Sequence, residues 1–430
     1  MTKCLVSRAT ILIITVCLVQ NTFAQRKLIY CGSVLDGINP NPQAQMTIVI
    51  DGNKILEIKK GFEQAISSET VIDLKNKTVL PGLIDMHVHL STETNPNRYT
   101  EGFRLNPEDF ALRAVAYSEK TLLAGFTTVR DLGGTIALAL RNAINRGDIR
   151  GPRIIAAGKS IATTGGHADP TNGVNRELMG DPDVKDGVVN NVDDARKAVR
   201  QHYKDGADVI KITATGGVLS NAKDGSAPQF TENEIREIVN IAKDYGFKVA
   251  AHAHGAEGMK RAIRAGVNSI EHGTFMDDEV ISLMKKFGTW YVPTITAGKS
   301  VADSAKIKGY YPPLVVPKAL ATGPKIQATF SRAYKAGVKI AFGTDAGVFM
   351  HGKNALEFEY MTDGGMPAIE AIKAATVNAA ELLGMSDKIG TLEKGKFADI
   401  IAVDENPLQN IKTLQSVRFV MKDGIVVKNQ

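Results

Sequence analysis

Three cysteines in 430 residues are too few for a disulfide scaffold, and no cluster of cysteine ligands is available for a metal or an iron–sulfur group. No block of like charge stands out either: 52 basic residues are interspersed with 46 acidic ones for a net charge of +6, so nothing points to nucleic acid or an anionic membrane surface. The Gly216-Gly217 pair is not accompanied by a G-x-x-x-x-G-K motif, which leaves a nucleotide cofactor unsupported. Low-complexity tracts and short-period repeats are absent as well. What remains is a composition of 43% hydrophobic and 23% charged residues with 40 Gly and 16 Pro, that of an ordinary folded chain and not of a disordered, collagen-like or coiled-coil one.

The first 24 residues stand apart. Lys3 and Arg8 precede an apolar stretch from Ile11 to Val19, and a short polar segment then ends in Thr22-Phe23-Ala24. That order is the pattern of a secretory signal peptide, residues 1–24, cleaved after Ala24. The stretch falls short of the ~20 residues that span a bilayer. The mature protein is therefore expected to be periplasmic or secreted, without a membrane partner. Val16 before Cys17 argues against a lipoprotein, and cleavage leaves Cys31 as the single thiol.

Three zones follow. Residues 26–80 alternate apolar and polar positions around Asp51-Gly52-Asn53, turn chemistry between two strands. Residues 81–385 alternate apolar strand-like runs with helical patterns: Val209 to Thr213 before Glu232 to Tyr245, Lys248 to His254 before Glu257 to Ala265, Ser269 to His272 before Glu279 to Phe287. Such repetition predicts parallel βαβ units, and its length suits an eight-unit barrel. Residues 386–430 return to short strands with Asp423-Gly424 as a hairpin turn. The expected fold is α/β: a (β/α)8 TIM-type barrel over 81–385, with a small β-sandwich domain formed by 26–80 and 386–430 together.

Chemistry gathers at the strand ends. His87 and His89 are two apart at the end of Leu80 to Val88, so alternation puts both on one face. His252 and His254 close Lys248 to Ala251, His272 closes Ser269 to Glu271, and Asp345 follows Ile340 to Thr344. In a barrel these positions converge on the carboxyl ends of the strands, where neutral imidazoles offer nitrogen ligands to zinc or a similar metal. His202 and His351 lack such surroundings. Lys211 lies within an apolar strand, where an ammonium is costly. Either it pairs with an acid, or its amine reacts with carbon dioxide to give an anionic carbamate that bridges two metals. Tyr291 at another strand end is a candidate pocket residue or simple packing, and Arg130 a carboxylate clamp or half of an internal ion pair. The Gly-rich segment Gly216 to Ala227 reads as a mobile loop over the site.

The segments Pro81-Gly82-Leu83-Ile84-Asp85-Met86-His87-Val88-His89, Glu271-His272-Gly273, Gly343-Thr344-Asp345-Ala346 and Gly390 to Ile400, with Lys211 and His252, resemble the amidohydrolase superfamily. Thr163-Thr164-Gly165-Gly166-His167 and Ala214 to Gly217 are similar to its imidazolonepropionase-like branch, which includes metal-dependent Xaa-Pro dipeptidases and carboxypeptidases. The resemblance implies two divalent ions, zinc first among the choices: His87, His89 and Asp345 on one, His252 and His272 on the other, and carbamylated Lys211 between them. It implies attack of a metal-bridging hydroxide on a peptide-type amide, releasing a C-terminal amino acid from dipeptides or N-acyl amino acids. Asp345 would carry the proton, His167 would stabilise the oxyanion, and His254 would contact substrate where dipeptidase relatives have tyrosine. The alternative within the same fold is a mononuclear aminohydrolase or ring-opening enzyme, whose relatives generally lack the strand lysine. Several relatives form homo-oligomers, and the same is expected here.

Overall fold

Alternation in the first zone becomes four strands: β1 (Lys27–Val34), β2 (Gln43–Asp51), β3 (Lys54–Lys60) and β4 (Thr70–Pro81). This computed structural model describes residues 26–430, so the predicted signal peptide lies outside the described residues. Asp51 pairs with Lys54 across the predicted turn, where Gly52 takes φ +56°. The left-handed backbone there is the conformation glycine permits at no steric cost.

The middle zone supplies parallel strands: β5 (Leu83–Val88), β6 (Phe126–Asp131), β7 (Arg153–Ala156), β8 (Ile210–Thr213), β9 (Val249–Ala253), β10 (Ser269–His272) and β11 (Trp290–Val292). They form two sheets, β5-β6-β7 and β8-β9-β10-β11. Single parallel bridges continue the pairing: Ile161 to Ile212, Tyr291 to Ile340, and Val88 to Ala346. The run Ile340 to Thr344 is thus held between β11 and β5 by isolated bridges and not by a full ladder. The predicted helices are present as Glu232–Asp244, Ala256–Ala265 and Asp278–Phe287. The first begins at a Thr231–Glu234 capping box, and all three turn their apolar sides onto the strands. Because helices cover the outside, the strands are buried at almost every position.

The chain then returns through β12 (Ile400–Val403), β13 (Phe419–Lys422) and β14 (Ile425–Asn429). β12 pairs antiparallel with β4, so the two terminal segments share one seven-stranded sheet in the order β14-β13-β12-β4-β1-β2-β3. The two terminal segments thus build one β unit, as expected, with pairing continuous through all seven strands. Ile48, Ile55, Leu74, Ile400 and Phe419 come from both halves of the sheet and share one small core. The edge strand β3 meets the incoming segment through a Lys54 to Phe397 bridge, which protects that edge. Among the described residues, no helix is long and apolar enough to cross a membrane.

Candidate active site

At the carboxyl ends of the parallel strands a cavity of about 430 Å³ opens, lined by His87, His89, His167, Lys211, His252, His254, His272 and Asp345. Eight of the nine predicted site residues therefore meet in one place. Tyr291 is the exception and the assignment of a substrate contact to it is corrected: it is fully buried, and its hydroxyl donates to the His272 carbonyl at 2.9 Å. Its ring lies where a Cβ on Gly273 would meet it at 2.7 Å, so it backs the strand end from behind. His202 and His351 bond backbone carbonyls of Ala198, Lys159 and Thr92 away from the cluster.

The geometry suits cations. His87 Nε2 stands 3.4 Å from Lys211 Nζ and 3.6 Å from Asp345 Oδ1, and His89 Nε2 stands 3.3 Å from the same oxygen. Ligand atoms of His87, His272 and Asp345 all lie within 4.8 Å of one another. The His252 ring is centred 4.7 Å from that of His272 and the His254 ring 5.0 Å. Burial holds His89 down to about 3, His254 to about 4, and His87, His252 and His272 well below their ordinary value. All five are thus neutral, the form that ligates metal. Burial pushes the Asp345 carboxyl up to about 7 and the Lys211 amine down to about 8. Asp345 Oδ1 is shielded from solvent and has no hydrogen-bond partner among the described residues, as expected of an oxygen reserved for a cation. A donor set of imidazoles, one carboxylate and an amine that can become a carbamate fits zinc or a similar divalent ion.

Partners distant in sequence aim these ligands. His87 Nδ1 lies 2.9 Å from Glu271 Oε2, which leaves Nε2 as the lone pair facing Lys211 and Asp345. Such a carboxylate behind a ligating imidazole sets its tautomer and raises its basicity. Glu271 Oε1 accepts from Arg130 at 2.9 Å and from the Ser269 hydroxyl at 2.5 Å, while Arg130 Nε donates to the Met86 carbonyl at 2.7 Å. Of the two readings of Arg130, the internal ion pair is the one found, with Glu271 as its acid. His272 Nδ1 contacts Thr294 Oγ1 and His254 Nδ1 contacts Thr274 Oγ1, each at 2.8 Å. His272, Thr294 and Asp345 take φ of 71°, 51° and 60°, three of only five such non-glycine residues among those described. Backbone strain at this density is typical of a site whose side chains must be aimed. Neither threonine carried a signal in the sequence, since each is defined only by the histidine it meets.

His167 stacks on His252 with centroids 4.2 Å apart, and its Nδ1 is buried without a partner. The ring lies against Gly217, where a Cβ would fall 2.1 Å from its Nδ1. Gly217→Ala is therefore expected to displace the His167 ring from its stack on His252, read from a crystal structure of the variant. The segment around it, expected to be mobile, is tied down: Lys318 donates to the carbonyls of Gly217, Ser220 and Ala222 at 3.0, 2.7 and 2.8 Å.

Known proteins resemble the chain along almost its whole length. The amidohydrolase family profile matches residues 78–427. Ochratoxinase from Aspergillus niger is 33% identical over 431 residues, covering 94% of this chain and 87% of that one. A crystal structure of a Xaa-Pro dipeptidase with bound methionine superposes with a TM-score of 0.92 at 53% identity, covering 94% of this chain and all of the other. A prolidase complexed with N-methylphosphonate-L-proline matches with a TM-score of 0.86 at 32% identity, again over 94% of this chain and all of that one. The profile match over residues 78–427, with a relative 33% identical across 94% of the chain, places the chain in the amidohydrolase family, as a hydrolase of amide-type bonds.

Proposed function

We propose that this protein is a binuclear metallohydrolase on a (β/α)8 barrel, cleaving a peptide-type amide to release a C-terminal amino acid from dipeptides or N-acyl amino acids. One observation carries the reading: Lys211 is buried among neutral histidines and beside Asp345, with its amine held at about 8 and 3.4 Å from a ligand nitrogen. An amine so placed reacts with carbon dioxide through Nζ, losing a proton and gaining a carboxylate whose single negative charge would offset part of the charge of two cations. His87, His89 and Asp345 would hold one ion and His252 with His272 the other, the modified lysine joining them. When bound, such ions supply a nucleophile from water at neutral pH and electrophilic help to the scissile carbonyl.

The chain's own residues do the rest. Asp345 takes the proton of the attacking water and returns it to the leaving nitrogen. His167, neutral and half-buried, presents a ring N–H to the developing oxyanion. His254 keeps Nε2 free for substrate because Thr274 occupies Nδ1. The names of the relatives, a dipeptidase with bound amino acid, a prolidase with a prolyl phosphonate and a hydrolase of ochratoxin, support small amide substrates. Zinc, a homo-oligomeric state and a periplasmic or secreted location belong to the same proposal.

The test is elemental analysis of protein purified with bicarbonate, followed by turnover of a dipeptide and N-acyl amino acid library. Near two metal equivalents with release of C-terminal amino acids is the expected result. A single equivalent with turnover of heterocycles alone would replace the proposal by a mononuclear aminohydrolase or ring-opening enzyme. His167→Asn is expected to lower kcat about 10²-fold with both metals retained, and loss of metal would refute its assigned role.

A further inference from the structure

The cavity carries an unused positive charge. Its charged lining consists of Lys211, Asp345 and Arg98, the last from the short helix Arg98–Glu101 that follows β5. Among the described residues, Arg98 Nη1 is shielded from solvent without a hydrogen-bond partner, and no acid forms an ion pair with this guanidinium. Arginine presents five N–H donors in a planar fork that matches a carboxylate, so an unpartnered fork in a cavity wall is set to receive one. The charge of Arg98 acts on His89, His167 and Asp345, which places it beside the reacting end of the cavity.

The other cationic candidates are committed. Arg130 is fully buried on Glu271, Ser269 and the Met86 carbonyl, and Lys318 serves three loop carbonyls. His254 is uncharged, so its free Nε2 offers substrate a hydrogen bond but no positive charge. Away from the charged groups the wall is apolar, built by Val218, Leu219, Ala297, Val301, Ile326 and Val348. Asp345 is the only acid in the lining, so a basic substrate side chain would find no partner.

We infer that Arg98 holds the free carboxylate of the substrate while the apolar wall takes an uncharged side chain, so the protein selects N-acyl amino acids over their carboxamides. The kinetic side rests on the amide-hydrolase proposal above; the binding side does not. Arg98 is a specificity residue, and its loss acts on KM more than on kcat.

The probes are N-benzyl-L-leucine and N-benzyl-L-leucinamide, amines in which a methylene replaces the N-acyl carbonyl, titrated calorimetrically into the metal-reconstituted full chain. The parent is expected to bind the acid about 10- to 100-fold more tightly than the amide, the range of a charge-assisted hydrogen-bond pair. Arg98→Gln should erase that preference and Arg98→Lys restore part of it, with unfolding midpoints that stay at the parent value. For N-acyl amino acids the same variant should raise KM by a similar factor. Equal binding of the two probes by the parent, binding of neither, or a preference that persists in Arg98→Gln would overturn the inference. An Arg98-dependent preference without hydrolysis of any amide would leave Arg98 in its role and refute the amidase proposal instead.

Discussion

Lys211→Ala is expected to lose at least one of two bound metal equivalents and to lower kcat/KM by about 10³-fold or more, because several kcal/mol of transition-state stabilisation depend on the metal pair. The methyl group of alanine offers no ligand, and no other acid of the cavity lining stands ready to replace a bridge. Folding is a separate matter. The lysine is 3% exposed in an apolar strand, and removing a buried amine relieves a desolvation cost, so the metal-free variant should unfold no earlier than the metal-free parent. Elemental analysis and denaturant unfolding of both proteins read the two effects independently. Two equivalents retained by the variant, with activity, would end the carbamate-bridged assignment.

Glu271→Gln carries the second large effect, and it divides between stability and metal. The carboxylate is fully buried between Arg130 and His87, and breaking a buried pair by neutralising one partner costs about 3–5 kcal/mol. Exchanging the carboxylate behind His87 for a neutral amide should also weaken metal binding by about 10- to 100-fold, the usual consequence of removing a carboxylate behind a ligating histidine. A paired replacement separates the two. Arg130→Met combined with Glu271→Leu removes both charges, and a hydrophobic substitute of similar volume is often neutral for stability. That double variant should recover most of the unfolding free energy while metal affinity, read by chelator competition, stays low. Recovery of metal affinity along with stability would mean that Glu271 matters for packing and not for aiming His87.

Features of short range were legible. Two histidines at a period of two on the end of an apolar run had to share a face, and both line the cavity. A lysine in the middle of Ala207 to Ile212 declared itself because an ammonium has no reason to be there without a role. The turn at Asp51-Gly52-Asn53 and the three strand-helix pairs after β8 were readable from side-chain period and Gly placement alone. The sandwich was legible only in outline: the period of two identified strands at both ends of the chain, but pairing order depends on which edges meet, and here they meet as one sheet.

Tyr291 and Arg98 show the opposite limit. Tyr291 ends a strand as the ligands do, yet its hydroxyl turns to the His272 carbonyl and its ring to Gly273. Strand position says where a Cα sits and leaves the reach of a long side chain open. Arg98 lies in a four-residue helix too short to show a periodicity, and only the folded cavity reveals a guanidinium nitrogen without a partner among the described residues.

By itself the amino-acid order determined the alternation of strands and helices, the histidines and aspartate at strand ends and the odd lysine, because hydrophobic period and local turn chemistry act over a few residues. Tertiary structure alone decided which imidazole nitrogen faces the cavity, that Arg130 is consumed by Glu271 some 141 residues away, and that Arg98 is free. Those are matters of which groups satisfy one another's hydrogen bonds and charge once buried, and burial joins residues that the chain keeps far apart.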